Sequence, residues 1–216
     1  MNRRSDHGTD SGRHGPADVG GVALSPAFAA DRIILLIAGD AVWRSVNAGL
    51  SWVKTSLYGV SPNDIAFSPA FATDRTVFVS TLNRGVWRSS DWGATYALAS
   101  GGLPVDPFTD VYCVAVSPAY ASDQTVFAGV ENGVYRSTDK GASWTRIGLL
   151  NQHVTALTLS PAYAVDRTLY ALGQRPAPPL DPAVYKSVDG GAVWSHVGAS
   201  IAHGWMQNIA VSPDLS

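Results

Sequence analysis

The sequence predicts an all-β fold, a β-propeller of four-stranded antiparallel blades, and three observations lead to this prediction. A segment that reads apolar, Ser, Pro, Ala, aromatic, Ala recurs, with its serines at Ser25, Ser68, Ser117 and Ser160. Each unit contains short runs rich in Val, Ile, Thr, Tyr, Phe and Trp, separated by Gly, Pro, Asn and Asp, which is typical of strands and turns. No stretch shows sustained helical periodicity.

The spacing of the repeat fits one four-stranded blade per unit. A fifth copy starts at Ser212, and the intervals between the five serines are 43, 49, 43 and 52 residues, too long for leucine-rich or ankyrin repeats. We predict units at approximately 21–60, 61–104, 105–150 and 151–200, with a partial unit at 201–216 that supplies the first strand of a fifth blade. A fragment of a larger propeller is the favoured interpretation. Four blades with an extra strand, or assembly between chains, stay open.

The third unit shows the expected plan of strands and turns. Strands A, B, C and D are predicted at 111–117, 125–130, 133–137 and 143–147. Asn132 and Gly133 favour a type I′ hairpin between strands B and C. Between strands A and B, Pro118 removes a backbone donor and Asp123 can bond its own backbone, so we expect a longer turn there. The same Asp recurs in the other units, at Asp31, Asp74 and Asp166.

A second motif lies between strands C and D and follows the pattern Ser, x, Asp, x, Gly, x, x, Trp. The third unit matches it at Ser137, Asp139, Gly141 and Trp144. The fourth unit matches it at Ser187, Asp189, Gly191 and Trp194. The second unit replaces Trp with Tyr and has Ser89, Asp91, Gly93 and Tyr96. The first unit replaces Asp with Asn and has Ser45, Asn47, Gly49 and Trp52.

With this motif, residues 22–216 resemble the Asp-box, or BNR-repeat, superfamily of β-propellers. That superfamily includes sialidases, xyloglucanase-like glycosidases, sortilin-type receptor domains and photosystem II assembly factors. The resemblance implies that the box is a structural hairpin at the propeller periphery, and it does not imply catalysis. It also implies an extracellular or cell-surface location, although this chain carries no signal peptide and its compartment stays unknown.

Composition excludes several classes of function. With 17 acidic and 15 basic residues, the net charge of −2 gives no footprint for nucleic acid. Cys113 is the only cysteine, so neither an intrachain disulfide nor a thiolate metal cage can form, and we expect no metal and no cofactor. The polar residues 1–20 are predicted to be a disordered tail. The most apolar run, 33–38, is too short for a membrane span, so we expect no membrane insertion.

A basic residue precedes the box serine in every unit. These residues are Arg44, Arg88, Arg136 and Lys186, and each follows an aromatic residue. The favoured interpretation is a solvent-facing or box-pairing side chain that alternates with a buried ring. The alternative is a basic ring for an anionic partner.

Candidate binding residues lie on the opposite, variable face, where the B to C and D to A connections of an up-and-down blade emerge. Loops on a rigid scaffold are where recognition is usually placed. Asp110, His153 and Trp205 each lie seven residues before a repeat serine, at the mouth of the expected channel. Together with Asp64 and His203 they form the predicted pocket for a sugar or a peptide.

Two classes of function follow. The favoured hypothesis is a non-enzymatic binding or scaffold module that recognises a protein or a glycan through the variable face. The alternative is a fragment of a carbohydrate-active hydrolase, sialidase- or xyloglucanase-like, which needs two opposed carboxylates. Plausible carboxylates on this face are Asp64, Asp106, Asp110, Asp181 and Glu131, but no spacing shows that two of them face each other. Self-association through an unclosed blade edge is also expected.

Overall fold

The fold is a β-propeller of four blades. The structure is a computed structural model, and it describes residues 19–82, 84–104, 110–174, 182–197 and 208–212. In this described part, sixteen strands form four separate antiparallel sheets of four strands each, and the strands of every sheet follow chain order. We call the sheets blades 1 to 4 and their strands A to D.

The blades have the following bounds. The strands of blade 1 are β1, β2, β3 and β4, at Val19–Leu24, Ile34–Ala38, Ala41–Ser45 and Val53–Tyr58. Those of blade 2 are β5, β6, β7 and β8, at Ser61–Phe67, Val77–Leu82, Gly85–Ser89 and Ala97–Leu98. Those of blade 3 are β9, β10, β11 and β12, at Val111–Val116, Val126–Val130, Gly133–Ser137 and Thr145–Gly148. Those of blade 4 are β13, β14, β15 and β16, at His153–Leu159, Leu169–Gln174, Pro182–Ser187 and Ser195–Val197.

Apolar clusters fill the spaces between successive blades. The A strands of neighbouring blades contact each other, β1 with β5, β5 with β9, and β9 with β13. Fully buried side chains occupy each of the three interfaces, among them Leu35 and Phe71, Phe78 and Val126, and Phe127 and Tyr163. A blade therefore buries its two faces against its neighbours, as expected for a propeller whose A strands lie innermost.

The A to B connection is a short helical turn held by the repeat serine and aspartate. The four turns are α1, α2, α3 and α4, at Phe28–Asp31, Phe71–Asp74, Tyr120–Asp123 and Tyr163–Asp166. In blade 3 the Ser117 hydroxyl donates to Asp123 Oδ2 at 2.6 Å, and Asp123 Oδ1 accepts the Thr125 N–H at 2.9 Å. The predicted bond of this aspartate to its own backbone is confirmed. The same pair of bonds recurs in all four blades.

The C to D turn uses its serine and aspartate in the same way in each blade. In blade 3, Gly141 N–H donates to Ser137 Oγ at 2.8 Å, and Asp139 Oδ1 accepts the Ser143 N–H, also at 2.8 Å. Hydrogen bonds from Ser143 and Ser137 lower the pKa of Asp139 to about 2. In blade 1 the Asn47 amide oxygen replaces the carboxylate and accepts the Ser51 N–H at 2.9 Å, because it keeps the acceptor that the turn needs.

The residue before the box glycine joins the two turns of its blade. Ala48, Trp92, Lys140 and Gly190 all have positive φ, between 58° and 75°. Each donates its N–H to the carbonyl of the left-handed residue that ends the A to B turn, at 3.0 to 3.2 Å. The glycine that follows also has positive φ, and a Cβ on Gly191 would lie 2.2 Å from Ile147 of the preceding blade. Only glycine fits there.

The recurrent arginines connect successive blades. Arg44 Nε donates to the Trp92 carbonyl at 2.8 Å, Arg88 Nη1 to the Lys140 carbonyl at 3.2 Å, and Arg136 Nη1 to the Gly190 carbonyl at 3.3 Å. Each acceptor is the left-handed residue of the next blade's C to D turn. These arginines are therefore bonded between blades. The prediction that these cations pair with a box is confirmed for the three arginines, and each of them pairs with the box of the next blade.

The structure corrects three details of the sequence prediction. Strand β1 starts at Val19, so the last two residues of the predicted tail belong to this strand, and Val19 pairs with Ala38 of β2; residues 1–18 lie outside the described residues. In blade 3 the B to C hairpin pairs Val130 with Gly133, and only Gly133 of the Asn-Gly pair has positive φ, so the turn is not type I′. Strand D starts at Thr145, because Ser143 is still bonded to Asp139.

The predicted fifth blade is only partly visible. Residues 208–212 are described and belong to none of the four sheets. A first strand needs the B strand of its own blade as a ladder partner, and no such strand follows among the described residues. The rest of the predicted unit lies outside them. Within the described part of the chain, no helix is long and apolar enough to cross a membrane.

We predict that the box aromatic stabilises the fold far more than the box carboxylate. Trp144 is 5% exposed, and its indole N–H reaches the Ala99 carbonyl of blade 2 at 2.8 Å. Trp144→Ala should lower the free energy of unfolding by about 3–5 kcal/mol. Asp139→Asn keeps an acceptor and should cost about 1 kcal/mol or less. Urea denaturation measures both, with Trp52→Ala as the half-buried control at the same position of blade 1. Equal losses for Trp144→Ala and Asp139→Asn would contradict the ranking.

Candidate functional site

The variable face is formed where the B to C turn of blade 3 contacts both of its flanking D to A connections. Glu131 N–H donates to the Asp110 carbonyl at 3.2 Å, and Gly133 N–H donates to the Gln152 carbonyl at 3.0 Å. Asn151 N–H donates to Asn132 Oδ1 at 2.8 Å. The two kinds of connection therefore share one face, as the blade plan predicts, and three short segments converge there.

An aromatic and acidic cluster lies at this convergence. The Tyr112 and His153 rings are stacked, with centroids 6.1 Å apart and planes inclined by 24°. His153 Nε2 lies 3.7 Å from Glu131 Oε1. Asp110 lies beside them, immediately before strand β9 and two residues before Tyr112. We call Asp110, Tyr112, Glu131 and His153 the channel cluster.

The negative charges of the channel cluster act on its tyrosine. Burial, followed by the neighbouring carboxylates of Asp110 and Glu131, raises the pKa of Tyr112 to about 12. The phenol is thus neutral at physiological pH, and its O–H donates a hydrogen bond to the Asp110 side chain. The cluster offers an aromatic surface beside two carboxylates.

Two acceptor atoms on this face lack partners among the described residues. Asp110 Oδ1 and Gln152 Oε1 are buried and receive no hydrogen bond. A buried acceptor without a donor costs roughly 1–3 kcal/mol, so such atoms are rare in native proteins and call for a reason. Both atoms are covered by protein, so a bound molecule reaches them only after neighbouring side chains move.

Asp64, another of the five predicted binding residues, accepts hydrogen bonds from two backbone N–H groups. Its Oδ2 accepts the Val114 N–H of blade 3 at 3.0 Å, and its Oδ1 accepts the Ile65 N–H at 2.8 Å. Burial raises the pKa of Asp64 despite these bonds. Asn63 also bonds across the blades, through its side-chain amide to the Tyr112 carbonyl. The cavity beside Asp64 has only about 70 Å³, well below the size of an ordinary ligand pocket.

The structure thus brings together two of the five predicted residues, Asp110 and His153. His203 and Trp205 lie outside the described residues, as do Asp106 and Asp181. Tyr112 was not among the five; it lies at a bulge of β9, between Val111 and Cys113, where simple alternation along the strand does not place its side chain. Glu131 was not among them either, since its turn approaches Asp110 only through the fold.

A separate cleft lies at the outer part of blades 2 and 3. It has a volume of about 450 Å³ and is lined by Arg88, Ser90, Lys140, Ala142 and residues 97–101. It forms where strand β8 is only two residues long and the chain crosses to the next blade, with Trp144 N–H bonded to the Gly101 carbonyl at 2.7 Å. None of the predicted binding residues lines this cleft.

The described part of the chain provides neither a cluster of metal ligands nor an accessible thiol. No group of three His, Cys, Asp or Glu side chains there could hold a metal ion. Cys113 is buried between blades 3 and 4, and burial raises the pKa of its thiol. A buried thiol of this kind is unreactive.

Comparison with solved structures places the chain among β-propellers. An enzyme of glycoside hydrolase class GH74 from Niastella koreensis matches 85% of this chain at 22% identity and a TM-score of 0.65. The extracellular domain of a protein from B. thetaiotaomicron, described as a one component system, matches 77% at 11% identity and 0.56. YCF48 from Cyanidioschyzon merolae matches 72% at 16% identity and 0.50. The chain spans only 30%, 21% and 48% of these proteins, respectively.

These likenesses define the class of fold and leave the activity open. No family profile and no curated protein sequence matches the chain. The structural relatives include hydrolases as well as an extracellular domain, and all are β-propellers. The chain is therefore a β-propeller whose site must be assigned from its own residues.

Proposed function

We propose that this chain is a binding module of the Asp-box propeller class that recognises a glycan through the channel cluster, without catalysing its hydrolysis. The observation that carries the proposal is the stacked Tyr112 and His153 pair beside the half-exposed Glu131 carboxylate. The repeated C to D turn, with its Ser, Asp and Gly bonds in every blade, supports the class.

A glycan suits this arrangement for two reasons. A sugar presents hydroxyl groups, which can donate to the carboxylate of Glu131, whose side chain is 47% exposed. The apolar face of a pyranose ring also packs on a flat aromatic side chain, and an aromatic ring with a polar tip favours such mixed surfaces. A protein ligand with hydroxyl-bearing side chains would use the same groups and remains the second ligand class.

We predict that truncating either of the stacked rings weakens glycan binding and leaves the fold intact. Tyr112→Ala and His153→Ala should each weaken binding of gluco- and xylogluco-oligosaccharides by at least tenfold, about 1.4 kcal/mol, because the aromatic surface is lost. Isothermal titration calorimetry measures this, and a thermal melt checks folding. Tyr58→Ala is the matched control, since Tyr58 is 62% exposed on strand β4 of blade 1. Unchanged oligosaccharide affinity in both cluster variants would refute the proposed site.

One observation favours a second candidate, a glycoside hydrolase. Asp110 and Glu131 lie on one cluster and both act on Tyr112, and the GH74 enzyme has a similar fold. Hydrolysis of a glycosidic bond uses two carboxyl groups on opposite sides of the bond. Here the Glu131 N–H is bonded to the Asp110 carbonyl, so both residues approach from the same blade.

Because of this one-sided arrangement, we predict that the chain binds xyloglucan without cleaving it. A reducing-end assay on xyloglucan should show no release of sugar, even at the protein concentrations used to assay hydrolases. Asp110→Asn and Glu131→Gln provide the decisive comparison. If the wild-type chain released sugar and both variants did not, the chain would be a glycoside hydrolase and the proposal would be wrong.

A further inference from the structure

The cleft at the outer part of blades 2 and 3 has the size of a ligand site and is separate from the channel cluster. Its volume of about 450 Å³ falls in the range of small-molecule pockets. Residues 97–101 and Ala142 line it, and Leu98, which is 58% exposed, is the largest apolar side chain among them. The cleft therefore has room for an organic molecule beside an apolar surface.

Two cations from neighbouring blades line this cleft, and no carboxylate of the described residues does. Arg88 belongs to strand β7 of blade 2, and Lys140 belongs to the C to D turn of blade 3. The nearby box carboxylates, Asp91 and Asp139, accept hydrogen bonds within their own turns. In the described part of the chain neither cation has a carboxylate within ion-pair distance. Two positive charges in one cleft attract an anion.

Arg88 keeps hydrogen-bond donors for a ligand. Its Nη1 donates to the Lys140 carbonyl at 3.2 Å, while its Nε and Nη2 make no hydrogen bond to the described residues. The N–H groups of Nε and Nη2 lie side by side as a fork, which matches two oxygens of one anionic group. Arg44 differs, because its Nε is already bonded to the Trp92 carbonyl.

Lys140 distinguishes this interface from the other two between successive blades. The interblade arginines bond to the carbonyls of Trp92, Lys140 and Gly190, and only Lys140 adds a second charge. Its backbone is left-handed, with φ of 63°, a conformation that favours glycine and strains a lysine. Because blade 4 has glycine at this position, the turn does not require a lysine. A role in binding accounts for its presence.

We propose that this cleft binds a sulfate or phosphate group carried by a small organic molecule. A tetrahedral oxyanion presents oxygens in several directions, so Arg88 and Lys140 can donate to it from two blades at once. The exposed Ser90 adds a hydroxyl donor to the lining. The organic part of the ligand lies on the apolar surface at Leu98. The site is independent of the channel cluster and of the glycan proposed there.

Isothermal titration calorimetry with phenyl phosphate and phenyl sulfate tests the site, with benzyl alcohol and inorganic phosphate as comparisons. The better-bound ester identifies the anionic group, and higher salt should weaken its binding. Benzyl alcohol should not bind, because it carries no charge. Inorganic phosphate should bind more weakly than the esters, because it does not reach Leu98. Inorganic phosphate that binds as tightly as both esters would overturn the claim of an organic carrier.

Lys140→Gly is the decisive variant, because Gly190 shows that the turn accepts glycine at this position. It should weaken ester binding by about tenfold or more without lowering the melting temperature, and Lys140→Arg should retain the binding. Oligosaccharide affinity at the channel cluster should not change in either variant. Ester binding by Lys140→Gly that equals the wild-type binding would overturn the proposal, as would failure of the wild-type chain to bind either ester.

The two variants Arg88→Gln and Arg136→Gln separate ligand binding from contact between blades. Both remove an interblade arginine, but Arg136 is bonded to Gly190 and does not line the cleft. Arg88→Gln should lose ester binding, and Arg136→Gln should bind as the wild-type chain does. Equal losses in the two variants would show that the effect comes from the packing of the blades and would overturn the assigned site.

Discussion

The structure depends on the packing of each blade on the next, and one recurrent bond accompanies it, from an arginine of one blade to the left-handed residue in the C to D turn of the next. That turn residue donates its N–H to the A to B turn of its own blade, as Lys140 does to the Gln124 carbonyl, and accepts Arg88 from the blade before. One peptide thus links the two turns of a blade to each other and to its neighbour. Around it, buried rings such as Trp144 fill the space between sheets.

This arrangement separates the repeated structural turns from the proposed glycan-binding site. The serine, aspartate and glycine bonds lie on one face, where every blade repeats them, so variation there is costly. On the opposite face the connections differ in length and sequence, and Asp110, Tyr112, Glu131 and His153 meet there through three segments of chain. Because their scaffold is held from the other face, these side chains can vary in chemistry with little loss of fold.

Much of the fold was predictable from the sequence because the same pattern of strands and turns recurs in four units. The strands of blade 3 were located to within two residues, and the bond of Asp123 to its own backbone followed from the turn chemistry. The direction of the arginine bonds did not follow, because Arg136 and the Gly190 carbonyl come together only when blades stack. Tyr112 was missed, and Glu131 was named only as a carboxylate of the variable face, because its position beside Asp110 depends on the pairing of the strands. The role of Asp64 depends on the Val114 N–H of the next blade, which no local pattern reveals.

The most direct test of the central claim is amide hydrogen exchange on Phe127→Ala, read by mass spectrometry. Phe127 belongs to blade 3 but packs on Tyr163 of blade 4. If contacts between blades hold the fold, protection should fall in β9–β11 and in β13–β15 together, with blade 1 least affected, because each repeat contacts only its neighbours. Loss of protection confined to blade 3 would show that each sheet is stable by itself and would contradict the account.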